Sequence, residues 1–332
     1  MFKKLGYTAL FVVVAGITVF SLPVLFSWTL EYERASSEIA DQFPVTVDPQ
    51  RKLIVENDQV NALFENEKSP LQAAVENTGG AFWGIFELIA TTISGAPWYQ
   101  SLAAANVRFV TIEPGMRKEQ VAKAFASALL WNSNQKKEFT TAAPASALPL
   151  IEGSFSPGVY SVEVGMKPAE AQALVNARFS EEILSHYGTT TAEIVPLDQA
   201  LTIASLIQRE AGGNDDMRVI SGIIWNRLFT NMNLQLDATL QYVKANNTSV
   251  SSWWPIVVHS DLFRKSPYNT YLNAGLPPSP IANPSVASVL AALNPVNTTC
   301  MFYFHDNAGQ FHCTDTYAQH VALLKKYYGR GK

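Results

Sequence analysis

Cysteine is nearly absent from this sequence. Of 332 residues only Cys300 and Cys313 carry a thiol, too few for a disulfide framework. Charge is scarce as well. Asp, Glu, Lys and Arg make up 16% of the chain, the formal net charge is −4, and no run of Lys and Arg is interleaved with aromatics. That pattern carries no nucleic-acid footprint, and no nucleic-acid partner is expected. The GxSxG elbow, HExxH, the P-loop and the dinucleotide fingerprint are all missing, and with them the commonest local signatures of hydrolase, metalloprotease, NTPase and dehydrogenase chemistry. No internal repeat is present. What the chain does have is apolar material, 48% of its residues. That suffices for a packed core and argues against global disorder. The length allows one large or two modest domains beyond any tail.

The N-terminus holds one long uncharged run. MFKK precedes LGYTALFVVVAGITVFSLPVLFSWTL, residues 5–30, in which no side chain is charged. About 20 apolar residues span a bilayer, so this run crosses it with some tilt. Lys3 and Lys4 precede it while Glu31 and Glu33 follow, and the positive-inside rule then keeps the N-terminus cytoplasmic. A cleaved signal peptide would have an apolar region of only ~7–15 residues ending at small residues. Here the exit is FSWTLEYER, bulky and charged. The expectation is an uncleaved single-pass anchor, with residues 1–4 inside and nearly everything after it outside the cytoplasm.

Residues 31–44 read as a polar helical stalk. Residues 45–105 give mixed signals: VTVDPQRKLIVEN suits strand and turn, while GGAFWGIFELIATTISGAPWYQ packs on something or lies on a membrane surface. VRFVTI (107–112) alternates like a strand, Pro114-Gly115 makes a turn, and a helical period follows, which fits half of a small βααβ module. TTAAPASALP, residues 140–149, has linker composition. Beyond Glu152 the texture becomes helical. Asn214 or Asp215 is placed to cap one helix and Asp237 the next. Residues 266–295 form a proline-rich loop, MFYFHDNAGQFHCT reads as a hairpin around Asn307–Gly309, and TYAQHVALLKKYYG closes as a helix. Helices first and a few late strands give an α+β fold class.

The chemistry rests on carboxylates. In LTIASLIQREAGG, residues 201–213, Ile203, Leu206 and Ile207 share one helical face, and Glu210 falls next on it before Gly212 and Gly213 end the helix. Partial burial and the negative end of the helix dipole both raise such a carboxyl's pKa, as a proton donor near neutral pH requires. On this segment alone the plainer reading is a surface Glu on a frayed last turn. Asp237 could serve as a second carboxylate, although an N-cap is the plainer reading there. Tyr268, Asn269, Thr270 and Tyr271 cluster amide, hydroxyl and aromatic groups without charge, the groups that bind sugars. The alternative is a rigid loop of solvated polar residues. His305, His312, Cys300 and Cys313 lie close in sequence, but their spacings match no zinc pattern. A Cys300–Cys313 bridge is open in an oxidising compartment; the apparent register does not put the two opposite, and the expectation is that they stay unbridged.

Taken together, IASLIQREAG, GIIWNRLFTNMNLQLDATLQYV, SPYNTYLNAGLPPSPIANPSVASVLAALNP and YFHDNAGQFHCTDTYAQH, in this order, resemble the endolytic murein transglycosylase (YceG-like) family. EGSFSPGVYSV resembles the start of its catalytic region, and TIEPGMRKEQVAKAF part of its LysM-like module. The resemblance implies a bacterial, membrane-anchored lytic enzyme with an extracytoplasmic catalytic domain. It divides the chain into a tail (1–4), an anchor (5–30), a stalk and divergent region (31–105), a partial LysM-like module with linker (106–150) and a helix-rich catalytic domain with a C-terminal hairpin (151–332). It also implies that Glu210 is the proton donor, with Tyr268, Asn269 and Thr270 holding sugar and Asn226 and Asp237 organising the cleft. Peptidoglycan strands are the implied partner, with cell-wall synthesis proteins as further candidates; no metal or organic cofactor is implied. Three positions depart from the family pattern: Gln208 where an acid is common, Ala238 where a proline is common after the aspartate, and Ser279 where a glycine is expected. A lysozyme-type hydrolase using Asp237, and a non-catalytic wall-binding anchor, remain as alternatives.

Overall fold

The computed structural model describes residues 42–66, 107–141, 151–246 and 252–329. The expected anchor, most of the stalk, the apolar stretch 79–100 and most of the linker lie outside the described residues. Among the described residues no helix is long and apolar enough to cross a membrane. The chain divides into two compact units. One comprises Met1–Ile39, Asn61–Phe109 and Ser161–Gly165; the other comprises Ala40–Val60, Val110–Tyr160 and Met166–Lys332 and holds most of what is described.

In chain order the elements are β1 (Val47–Asp48), β2 (Leu53–Ile54), α1 (Asp58–Asn66), β3 (Val107–Ile112), α2 (Lys118–Leu129), α3 (Ser133–Thr140), β4 (Gly158–Glu163) and α4 (Pro168–Phe179). The last runs on as a π-helical turn, Ser180–Leu184. Then come α5 (Thr189–Ile194), α6 (Leu197–Glu210), α7 (Asn214–Phe229), α8 (Asp237–Ala245), a 3₁₀ turn (His259–Phe263), α9 (Val286–Leu293), β5 (Phe302–His305), β6 (Phe311–Thr314) and α10 (Tyr317–Tyr328). The strands form three two-stranded sheets, β1–β2, β3–β4 and β5–β6. The α+β class follows directly. The strand and turn expected in VTVDPQRKLIVEN are the β1–β2 hairpin, with Val47 opposite Ile54.

β4 pairs with β3 and completes a β–α–α–β order. The reason is aromatic packing. Phe125 of α2, Phe139 of α3 and Phe155 before β4 are fully buried, with ring centroids 4.9 Å apart for Phe125–Phe139 and 5.7 Å for Phe139–Phe155. The turn into β4 is further tied by buried Asn283. Its Oδ1 accepts from the N–H groups of Gly153 and Phe155, and its Nδ2 donates to Met116 O and Glu152 Oε1. Glu152 is 5% exposed. Its Oε1 also accepts from the Lys118 N–H at 2.8 Å, while Oε2 has no partner. Burial, reinforced by the charge of Glu119, pushes its carboxyl up to about 8.

The larger core is built around α6. Ile203, Ala204, Leu206 and Ile207 are completely buried, and the helix packs most extensively on α9, then on α7 and α8. α9, VASVLAAL, is apolar apart from Ser288, as suits a helix packed on both α6 and α7. Its start is fixed by Ser285, whose hydroxyl accepts from the Ser288 N–H, and by Gln208 on α6, whose Oε1 accepts from Ser285 N–H and Ser288 Oγ. Gln208 therefore does a structural acceptor's job at one of the three departures. α7 crosses the segment after α9 so closely that a Cβ on Gly222 would collide with the Val296 carbonyl oxygen. Only glycine fits there.

The C-terminal hairpin sorts its side chains by the period of two. β5 and β6 are antiparallel, with Tyr303 opposite Cys313 and His305 opposite Phe311. Phe302 and Phe304 turn towards α10, meeting His320 at 5.6 Å and Tyr327 at 5.9 Å. Tyr303 and His305 turn the other way, towards the ends of α6 and α7. The turn falls at Asp306–Gln310, as expected. Cys300 and Cys313 are nevertheless bridged, with Cα atoms 5.7 Å apart. The expected register was right, since Cys313 faces Tyr303; Cys300 reaches it from just before the strand, a position the ladder does not constrain.

Candidate functional site

A cleft of about 770 Å³ opens between the end of α6, the start of α8 and the hairpin, and Glu210 lies in it. α6 ends at Glu210 because Ala211 turns to an extended backbone, φ −70° and ψ 138°. The glycines that follow are not in the left-handed region expected of helix-stopping glycines. Their role is donation: Gly212 N–H and Gly213 N–H give hydrogen bonds to the Asp216 carboxylate at 2.9 and 3.2 Å. Asp216, not Asn214 or Asp215, thus satisfies the backbone at the start of α7. A Cβ on Gly212 would lie 3.0 Å from His305 Nε2, and His305 itself bonds Asp216 at 2.5 Å. This clasp fixes the chain leaving Glu210 against β5.

The Glu210 carboxylate accepts from Tyr303 Oη–H at 2.9 Å and, longer, from the Ala238 N–H at 3.4 Å. Burial is the largest influence on it and raises its pKa, as does the nearby charge of Asp237. The two hydrogen bonds and the Arg227 cation pull the other way without reversing the shift. The Tyr303 phenol is held well above its ordinary value by burial and by Glu210, so it stays a donor. Arg227, from α7, is anchored by Nε to Met301 O at 2.8 Å and by Nη1 to Leu234 O. Its guanidinium lies over Phe302 and Tyr303. It is a fixed cation in the cleft wall.

Asp237 was expected as an N-cap or a second carboxylate. Leu236 holds the cap position of α8, and Asp237 makes no cap bond. Its Oδ1 instead accepts from Tyr271 Oη–H at 2.7 Å in the cleft. The rest of the predicted sugar-holding set lies behind the cleft. Asn269 is completely buried, its Nδ2 donating to Leu262 O and Arg264 O and its Oδ1 accepting from the Tyr271 N–H. Thr270 Oγ1 accepts from the Leu236 N–H and bonds Thr239 Oγ1. Tyr268 packs on Tyr242 and shares a 2.6 Å bond with Ser279, a use for the hydroxyl at a second departure. Asn226 Nδ2 donates to Thr298 O and Cys300 O, bracing the segment before the hairpin. Asn269 and Thr270 are buried and Tyr268 and Asn226 half-buried, all four bond to the protein itself, and none lines this cleft.

Sequence reasoning missed Tyr303, Arg227, Gln235, Phe302, Phe304, Tyr317 and His320, all of which line the cleft. The alternation in FYFH could have shown that Tyr303 faces away from Phe302 and Phe304. Gln235 has a left-handed backbone, φ 50°, held by its N–H to Thr270 O, and no sequence signal marks it, since such strain in a non-glycine residue is imposed by its surroundings. The third departure, Ala238, supplies an N–H to the acid that proline could not.

The YceG-like family model matches residues 61–326. An endolytic murein transglycosylase of Bacillus subtilis (strain 168) is 37% identical over 133 residues, covering 40% of this chain and 35% of that protein. The protein of the same name from Streptococcus pneumoniae serotype 2 (strain D39) is 26% identical over 160 residues, covering 47% of this chain and 28% of its own length. The matches thus span about a third of the length of these curated relatives. A crystal structure of a YceG-like protein from Listeria monocytogenes shares the fold, with a TM-score of 0.56 and 23% identity over 68% of this chain and 80% of that one. With most of its length inside the family model, the chain belongs to the YceG-like family.

Proposed function

We propose that this chain is a membrane-anchored endolytic lytic transglycosylase that cuts the β-1,4 bond between N-acetylmuramic acid and N-acetylglucosamine in nascent peptidoglycan. The observation that carries the reading is Glu210, a single carboxyl at the end of an apolar helix, with its pKa raised by burial and a phenol donating to it. The raised pKa favours its protonated form, and in that form it gives its proton to the glycosidic oxygen as the bond to C1 breaks. The substrate's N-acetyl carbonyl stabilises the cation that develops at C1, so a second enzymic carboxylate is not needed. Glu210, now ionised and held by Tyr303 and Arg227, takes the proton of the muramyl C6 hydroxyl as that oxygen closes on C1. The product carries a 1,6-anhydro end, and the acid is reprotonated.

Endolytic murein transglycosylase is the activity named for the curated relatives, and it supports the substrate class. Residues 5–30 as a single-pass anchor, Lys3 and Lys4 inside, would keep the cleft on the extracytoplasmic side, and residues 106–150 completed by β4 suit a LysM-like module. A hydrolase reading has one observation in its favour, Asp237 in the same cleft. Mass spectrometry separates the two. Incubated with uncrosslinked glycan strands, the detergent-solubilised full chain yields anhydro ends, and Glu210→Gln loses at least the ~10²–10⁴-fold that general acid catalysis supplies. Reducing ends would establish the hydrolase, and near wild-type turnover of the variant would remove Glu210 from the mechanism.

A further inference from the structure

Residues 252–265, SWWPIVVHSDLFRK, hold several large apolar side chains out of the protein. Ile256 is 83% exposed, Val258 51% and Phe263 65%. Single exposed apolar residues are ordinary, whereas a cluster marks a contact surface. The stretch is not slack. Lys244 Nζ donates to Ile256 O at 2.8 Å and Asp261 Oδ2 at 2.7 Å, Val258 N–H donates to the same carboxylate, and Asn269 holds Leu262 O and Arg264 O. Trp254 lies under the Arg209 guanidinium at 4.0 Å, and Pro255 is buried. The apolar side chains are therefore presented by a braced backbone.

The charges around them are lopsided. Lys244 and Arg264 share one carboxylate, Asp261, and exposed Lys265 follows in the chain, within a protein whose formal net charge is −4. A rigid lip of projecting aliphatic and aromatic groups, backed by tryptophans and rimmed by surplus cations, has the chemistry of a surface that seats on anionic lipid headgroups. A glycan strand can bring carboxylates on its stem peptides, but it offers no apolar depth for Ile256, Val258 and Phe263 to enter. We propose that residues 252–265 form a docking face for an anionic lipid bilayer, separate from the cleft and from any N-terminal anchor. Trp254 braces Arg209, the neighbour of Glu210, so lipid contact here sets the height and tilt of the cleft over the membrane. The inference does not rest on the reaction proposed above.

The test uses the full chain. Its two cysteines are bridged, so Phe263→Cys offers one thiol for an environment-sensitive fluorophore, and Leu130→Cys, at an 88% exposed position, is the control. Each labelled protein is reconstituted into phosphatidylglycerol-rich vesicles doped with nitroxide lipid. The expected result is a blue shift and loss of emission at 263, neither at 130. Pure phosphatidylcholine, high salt, or added Ile256→Asp and Val258→Asp changes should diminish both signals. Quenching at 263 no greater than at 130, or a blue shift at 263 that persists without lipid and so reports a second copy or another protein surface, overturns the proposal.

Discussion

Replacing Glu152 by Gln should flatten the dependence of stability on pH, and the size of the effect follows from where the carboxyl sits. Its pKa goes from an ordinary 4.5 to about 8 in the folded chain, chiefly through burial. A raised acid favours folding in its neutral form, so its contribution is complete below pH 4.5 and is lost as pH rises towards 8. At 1.36 kcal/mol per pH unit the ceiling on that loss is about 5 kcal/mol, and relaxation around the charge brings it to roughly 2–4 kcal/mol. Glutamine keeps the acceptor that Lys118 N–H and Asn283 Nδ2 use and cannot ionise. Its amide N–H₂ takes the place of the unpartnered Oε2, a cost that is constant with pH. Urea unfolding followed by tryptophan emission, for both proteins from about pH 5 to 8, therefore gives curves that diverge with rising pH. The variant gains on the wild type at each step, while every other titrating group cancels in the difference. Parallel curves would mean that Glu152 is not held neutral by burial.

Tyr303→Phe removes a donor to Glu210; a hydrogen bond to a charged group is worth about 1.5–3 kcal/mol, so the Glu210 pKa should rise further and the alkaline limb of the pH–rate profile move up by about 1–2 pH units. An unmoved limb would mean that Glu210 is not the titrating acid. Asn269→Ala strips three buried hydrogen bonds at about 1 kcal/mol each or more, so thermal stability should fall and activity fall with it; full stability with lost turnover would return Asn269 to the cleft. Intact-mass measurement of membrane-extracted protein should retain residues 5–30, and a mature N-terminus beyond residue 30 would identify a signal peptide instead.

The parts of the fold legible in the sequence are those with local causes. The apolar period through Ile203, Leu206 and Ile207 located both the central helix and the acid at its end, and the alternation in VRFVTI and FYFHDNAGQFH located a strand and a hairpin. What was not legible depends on partners distant in the chain. Tyr268, Asn269 and Thr270 have the composition of a sugar site, yet composition cannot show which groups an amide bonds; in the fold the Asn269 amide donates to the carbonyls of Leu262 and Arg264. Asp237 looked like a cap because carboxylates favour that position, and a tyrosine hydroxyl claimed it instead. The Cys300–Cys313 bridge escaped a ladder argument because Cys300 stands outside the ladder.

The hydrogen bond between Tyr303 and Glu210 spans 93 positions of chain, and that separation has a temporal meaning. A polypeptide emerging from its N-terminus completes the acid's helix well before β5 has been made. Through that interval Glu210 lacks its phenol donor and the cleft lacks the wall formed by Phe302, Phe304 and α10. The cleft is therefore completed late, with the closing of the hairpin, and a nascent or truncated chain that stops short of residue 303 has the helix of Glu210 without its phenol donor or that wall.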